Sequence, residues 1–312
     1  MTAWKMDKRW LEYEVEKEIA GWTLERVLKE KLGISGRMIQ RLTRQKGVHL
    51  NRKQPYLQKK VKRGDEVKVR IADAFEPTLP PVAMDIHVLY EDDALLVVNK
   101  PAGLAVHPVN EKQTRTLAHG ISHYWTEKGQ PRAVRPVHRL DKETSGAILI
   151  AKNGFIQQLL DKQLREHAIR RTYLALVSGH PAQVGEGGTF SDPIARDPHH
   201  PTRRCVSMKG DDAITHYTVR ELYEPKPDVL PEGAALVEIE LETGRTHQIR
   251  VHFSHHGFPI LGDTLYGGPV VDGFRRQALH ATSLTFLHPL SGDVIECMAP
   301  APDDFVKLRD QL

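Results

Sequence analysis

The chain has 312 residues, 40% hydrophobic and 27% charged, which predicts a globular protein of one large domain or two unequal ones and excludes a disordered chain. Apolar runs such as Ala94-Leu95-Leu96-Val97-Val98 are far too short for a bilayer, and Met1 to Asp7 lacks a signal-peptide core. Cys205 and Cys297 stand alone, so neither a disulfide framework nor a cysteine zinc site is expected, and a cytoplasmic location is. The net charge of +4 hides an asymmetry: residues 1–75 hold 19 Lys and Arg against 10 Asp and Glu, the remainder 25 against 30. A basic module joined to a nearly neutral body suits a polyanionic partner.

In the first 75 residues, alternation over 10–20 predicts a half-buried strand. Thr23 is placed to cap a helix carrying Leu24, Val27, Leu28 and Leu32, which Gly33 ends. Ser35 is placed to cap a second, with Met38, Ile39 and Leu42 on its apolar face and Arg37, Arg41 and Arg44 on the other. Val48 to Asn51 and Val67 to Ile71 read as strands. With Lys46 and Lys53 the arginines make a phosphate-binding surface, since guanidinium groups grip phosphate bidentately. Proline-rich residues 72–81 read as a linker.

From Ile86 onward short apolar runs alternate with turn signals. Residues 86–90 and 95–99 predict a hairpin, and 104–106 a further short strand. Helices are expected over 116–125 and 155–164, and strands over 173–177, 214–222 and 236–241. Residues 178–212, rich in Gly, Pro and Asp, read as an irregular excursion. Many strands with few helices predict an α+β fold, a mixed sheet with helices packed outside.

Val137 to Lys152 carries the most chemistry. A polar loop with His138, Arg139, Leu140 and Asp141 runs through Thr144-Ser145-Gly146 into a buried apolar strand, an arrangement that fixes side chains rigidly. Arg171-Thr172-Tyr173 approaches another strand. Thr246 is placed to cap a helix that holds Arg250 one turn inside and that Gly257 ends. His252 and His256 share a face at zinc spacing, but no glutamate follows in the zincin manner, so no metal is expected. Ser145 lacks the glycine-flanked elbow of a nucleophile, and no phosphate loop is present.

His138-Arg139-Leu140-Asp141-x-x-Thr144-Ser145-Gly146 resembles the signature loop of the RluA-type pseudouridine synthases. Lys100-Pro101-x-Gly103, Arg171-x-Tyr173, Gly244 to His252, Gly262-Asp263, Tyr266-Gly267-Gly268 and Leu279-His280-Ala281 agree in the same order, so the resemblance covers about 84–300. Residues 23–71 resemble the RNA-binding domain named after ribosomal small-subunit protein four, through Ser35-x-Arg37, Arg41, Asn51 and Gly64-Asp65, although Arg52 stands where that family has glycine.

The resemblance implies a pseudouridine synthase fold over 84–312, mainly antiparallel, behind an RNA-binding domain over 1–75 and a linker over 76–83. It implies isomerisation of uridine in RNA, most simply large-subunit ribosomal RNA, by a monomer without metal or organic cofactor and without a membrane. Asp141 is then the catalytic aspartate, acting by a covalent or a glycal-type path. Arg250 is its partner, Tyr173 the active-site tyrosine, and Arg139, with Leu140, takes the gap left by the flipped uridine. Ser35, Arg37, Arg41, Arg44, Lys46 and Lys53 would meet RNA. Alternatives are a transfer RNA synthase and a catalytically idle assembly factor.

Overall fold

The computed structural model describes residues 4–7, 10–71, 79–271 and 273–312, so most of the stretch read as a linker lies outside the described residues. The N-terminal module folds as β1 (Trp4–Asp7), β2 (Trp10–Glu14), α1 (Leu24–Arg26, continued as a π-helical stretch Val27–Lys31), α2 (Gly36–Arg44), β3 (Val48–Leu50) and β4 (Glu66–Arg70). The strands form one sheet in the order β1-β2-β4-β3. Alternation buries Leu11 and Tyr13, but the strand predicted over 10–20 stops at Glu14, and Lys17–Ile19 is a 3-10 turn.

Both expected caps form. The hydroxyls of Thr23 and Ser35 accept from the backbone N–H of Arg26 and Met38, each at 3.3 Å. Asn51 lies past the end of β3, in a left-handed turn with Arg52 (φ 51 and 64). The Asn51 amide bonds the Asp65 carboxylate and accepts the Glu66 N–H, both at 2.8 Å, so side-chain hydrogen bonds hold a turn that glycine would otherwise ease.

The body continues with β5 (His87–Glu91), β6 (Leu95–Lys100), α3 (Leu117–Glu127), β7 (Arg135–Pro136), β8 (Ser145–Ala151), α4 (Gly154–Arg165), β9 (Arg170–Ser178), β10 (Gly187–Phe190), β11 (Ile194–Arg196), β12 (Arg204–Val206), β13 (Thr215–Tyr223), β14 (Ala234–Leu241), α5 (Gln248–His255), β15 (Leu279–Leu287), β16 (Val294–Met298) and α6 (Asp303–Gln311). The large sheet runs β10-β13-β14-β9-β15-β8-β6-β5, with β7 beside β8 and β16 beside β15. Every pairing in it is antiparallel except β8 with β15. The expected mixed, mainly antiparallel α+β architecture is therefore present.

All seven residues of β8 are buried. Ile148 and Ile150 belong to the core on one face, with Leu96, Val98 and Trp125. Ala147, Leu149 and Ala151 belong to the other, with Phe155, Ile156 and Leu160 of α4. A strand covered on both faces reads as a continuous apolar run, which is why it was visible in the sequence. The second core continues into the N-terminal module. There Gln158 of α4 accepts the Ser35 N–H at 3.0 Å and donates to the Gly33 carbonyl.

Three further expectations need correction. Residues 104–106 form no strand, because the carbonyls of Ala105 and Val106 accept the first N–H groups of α3 (2.9 and 3.0 Å). The excursion 178–212 contains β10 and the β11–β12 hairpin. Thr246 does not cap α5: the helix begins at Gln248, whose side-chain oxygen accepts from the Thr243 hydroxyl (2.8 Å) and the Arg245 N–H (2.9 Å). Among the described residues no helix is long and apolar enough to cross a membrane.

Gly146 permits the junction of β8 with β15. It has φ +118, and a Cβ there would lie 2.2 Å from the Ala281 carbonyl oxygen. Gly146→Ala is expected to destabilise the protein by about 3 kcal/mol or more, read from urea unfolding, because both backbone and neighbour must shift.

Candidate active site

The loop 137–144 is fixed at both ends. The buried His138 ring accepts the Leu149 N–H through Nε2 at 3.2 Å, and burial, aided by Arg171, pushes its pKa down to about 3. It is a neutral structural group at physiological pH. At the other end the Thr144 N–H donates to the Asp141 carbonyl (3.1 Å), and the Thr144 hydroxyl accepts from Gln277 (3.2 Å). Ser145 Oγ bonds His280 Nδ1 at 2.9 Å, and His280 Nε2 meets the Ala299 carbonyl at 3.0 Å. Leu140 packs into the core with its side chain buried, whereas Arg139 is exposed.

Lys100 ties this loop to the turn after β6. It is fully buried, and its Nζ donates to the carbonyls of Pro101 (2.9 Å), Leu104 (2.8 Å) and Lys142 (3.1 Å). Burial pulls its pKa down to about 7 despite Asp141 and Glu143. Three carbonyl acceptors oppose that pull, since only the ammonium has three hydrogens to give them.

Asp141 Oδ2 accepts from Arg250 Nη1 at 3.0 Å. Arg250 is in turn clamped by Asp263, Nε to Oδ2 at 2.6 Å and Nη2 to Oδ1 at 2.8 Å. The side chain of Asp263 is 1% exposed, that of Arg250 8%, and that of Asp141 24%. The gradient leads from a buried anchor to an accessible carboxylate. Burial disfavours the Arg250 cation, but Asp263 and then Asp141 outweigh it and raise its pKa. Its guanidinium also lies 4.9 Å from the centre of the Tyr266 ring.

Sheet register brings Tyr173 to the same level. Ala281 of β15 pairs with Gly146 on one side and Tyr173 on the other. Tyr173 is 4% exposed, and burial raises its pKa, with Arg171 lowering and Asp141 raising it, so the phenol is neutral at physiological pH. Arg171 Nη2 reaches the carbonyls of Leu241, Glu242 and Thr243 (3.2, 3.3 and 3.2 Å) and so fixes the approach to α5.

Asp141, Arg250 and Tyr173 are thus brought together from loop, helix and strand. The role of Asp263 was missed, although Gly262-Asp263 lay in a motif block; the available signal was that a buried arginine needs a second anion. The adjacent histidines are engaged elsewhere. His252 bonds Thr215 Oγ1 and the Asp192 carbonyl, both at 2.9 Å, and His256 bonds the Asp192 carboxylate at 2.8 Å. In the N-terminal module Ser35, Arg37, Arg41 and Arg44 line a crease with Met38, Gln40, Gln45 and Gln158. Lys46 and Lys53 are exposed on the turns beyond α2 and β3.

Residues 94–255 match the family model described as RNA pseudouridylate synthase, about half of the chain. The chain belongs to the RNA pseudouridylate synthase family. Residues 11–67 match the RluD ribosomal pseudouridine synthase N-terminal domain. The chain is 39% identical over 300 residues to the uncharacterized RNA pseudouridine synthase YhcT of Bacillus subtilis, covering 96% of each chain. It is 39% identical over 262 residues to ribosomal large subunit pseudouridine synthase D of Xanthomonas campestris, covering 80% of this chain and 76% of the relative. A solved human structure, RNA pseudouridylate synthase domain containing 1, superposes with a TM-score of 0.55 at 27% identity, covering 72% of this chain and 86% of the other. The protein is an RNA pseudouridine synthase, and RNA is its substrate.

Lys100→Met should leave three carbonyls without their donor. We expect a loss of about 3 kcal/mol in urea unfolding, with faster hydrogen exchange in 100–104 and 141–144.

Proposed function

We propose that the protein isomerises specific uridines of large-subunit ribosomal RNA, with Asp141 as the catalytic carboxylate. The observation that carries this reading is the state of that carboxylate. Oδ2 is held by Arg250, while Oδ1 has no hydrogen bond among the described residues and the side chain remains partly open. A carboxylate so aimed can act on the sugar carbon or its proton, and both the covalent and the glycal-type path use it. Arg250 orients and charge-balances it. Tyr173, whose neutral phenol feels the Asp141 charge, is a packed aromatic wall against which the flipped base is placed. The target must leave the stack for its glycosidic bond to be reached. Exposed Arg139 fills the vacated place, and buried Leu140 anchors the loop that presents it.

The ribosomal substrate is supported by relatives named as large-subunit pseudouridine synthases, among them the D enzyme of Neisseria meningitidis, 37% identical over 311 residues. It is supported too by the basic N-terminal module, which we read as an RNA-binding domain of the S4 type over 1–75, joined through 76–83 to a catalytic domain over 84–312. Ser35, Arg37, Arg41, Arg44, Lys46 and Lys53 would grip phosphates there, adding affinity more than sequence choice. The enzyme works as a cytoplasmic monomer without metal or organic cofactor.

The test is to incubate ribosomal RNA from a deletion strain with the protein and map pseudouridine. Wild type should restore discrete positions in large-subunit RNA, and Asp141→Asn should be slower by at least about 10³-fold. Equal activity of Asp141→Asn, or modification confined to transfer RNA, would overturn the reading.

A further inference from the structure

We infer that His247 is a neutral hydrogen-bond donor which, together with Asp141, holds a ribose hydroxyl of the target nucleotide, and that Tyr266 fixes the tautomer this requires. The inference rests on the reading of Asp141 as the catalytic carboxylate.

His247 precedes α5 in the left-handed conformation, φ 59 and ψ 19. A non-glycine residue is seldom found there, and such outliers gather at functional sites. Its side chain turns toward the carboxylate, with Nε2 3.9 Å from Asp141 Oδ2. That is too long for a hydrogen bond. It is a suitable gap for one oxygen atom to sit within hydrogen-bond reach of both. Between an N–H donor and a carboxylate acceptor, the group that satisfies both is a hydroxyl, which accepts from the first and donates to the second.

The tautomer follows from counting hydrogens. His247 Nδ1 lies 2.8 Å from the Tyr266 hydroxyl. That oxygen already accepts the backbone N–H of Arg204 in β12, also at 2.8 Å. The phenol therefore has its one hydrogen free to give to Nδ1. If Nδ1 accepts, the imidazole hydrogen is on Nε2, facing Asp141. The rings meet edge to face, 5.7 Å apart at 84°, which fixes the plane of the imidazole. Tyr266 is held in turn by the Arg250 guanidinium over its ring. Tyr266 is thus a positioning residue, and the β11–β12 hairpin, through one backbone N–H, supports it.

The charged groups facing His247 are Asp141 from the β7–β8 loop, Arg250 on its own helix, Asp263 from the turn after α5 and Arg204 from β12. Burial, with the two arginines, lowers its pKa against the two aspartates, which favours the neutral ring. A ribose hydroxyl is what separates RNA from DNA, so this pair would make the enzyme select a ribonucleotide at the target position.

The experiment compares single-turnover rates and affinities on a target RNA and on the same RNA carrying 2′-deoxyuridine at the target. The wild type should favour the ribose form by about 100-fold, the worth of the two hydrogen bonds lost with the hydroxyl. His247→Phe, which keeps the ring shape but no donor, should lower the rate on the ribose form and cut that preference about tenfold, leaving only the part due to Asp141. His247→Gln, which keeps an N–H at similar reach, should retain most of the wild-type preference. Tyr266→Phe should move the acid limb of the rate profile to higher pH, because the freed Nδ1 then takes a proton more readily and the imidazolium pairs with Asp141.

A wild-type ribose preference in folded His247→Phe, in both rate and affinity, would overturn the inference. So would an unmoved acid limb in Tyr266→Phe. Activity of Asp141→Asn would instead overturn the underlying reading, so the two failures are distinct.

Discussion

The clamp of Asp263 on Arg250 is the interaction on which the site depends. A bidentate carboxylate fixes the plane of the guanidinium, which leaves one nitrogen, Nη1, to face Asp141. Burying these charges is costly, and good geometry with full use of the hydrogen-bonding atoms is what makes it tolerable. Asp263 meets that condition through a tight turn. Gly262 has φ +76, and a Cβ on Gly268 would lie 1.9 Å from the Ile260 carbonyl oxygen, so two glycines allow the backbone to fold around the aspartate. The sequence blocks Gly262-Asp263 and Tyr266-Gly267-Gly268 are therefore parts of one device. Through Arg250 it meets the loop that carries Asp141.

The loop 137–144 is built on the same plan from the other side. Its polar ends are committed to the scaffold: His138 to Leu149, Thr144 to Gln277, Ser145 to His280, and Lys142 through its carbonyl to Lys100. What remains uncommitted is Arg139, exposed, and the open oxygen of Asp141. Rigidity and availability are thus divided residue by residue within eight positions. The parallel pairing of β8 with β15 places this loop level with Tyr173 across one strand, which brings together residues distant in sequence.

Much of this was legible because the physics was local. The caps at Thr23 and Ser35 and the all-apolar β8 depend on neighbours in the chain, and they formed where the pattern placed them. The errors came from distant partners. Residues 104–106 look like a strand, but their carbonyls are taken by α3 and Lys100. Thr246 looks like a cap, but Gln248 reaches back from inside the helix to Thr243 and Arg245. The excursion 178–212 hides short strands because glycine and proline suppress the alternating signal. The pairing of Asp141 with Arg250 spans 109 residues, and only resemblance to a family suggested it. Asp263 lay in a block of that resemblance but without a role, and its partnership with Arg250 emerged only from packing.

Buried Asp263 is expected to control the chemistry proposed for Asp141 through Arg250, without touching RNA. The most direct measurement is the single-turnover rate of pseudouridine formation by Asp263→Asn, together with its RNA affinity. Asparagine keeps the shape and one acceptor but removes the charge and the bidentate grip. The rate should fall by about 100-fold, the effect expected when a reacting group is displaced by an ångström, with affinity for RNA within about threefold of wild type. A folded Asp263→Asn protein that forms pseudouridine at the wild-type rate would contradict it.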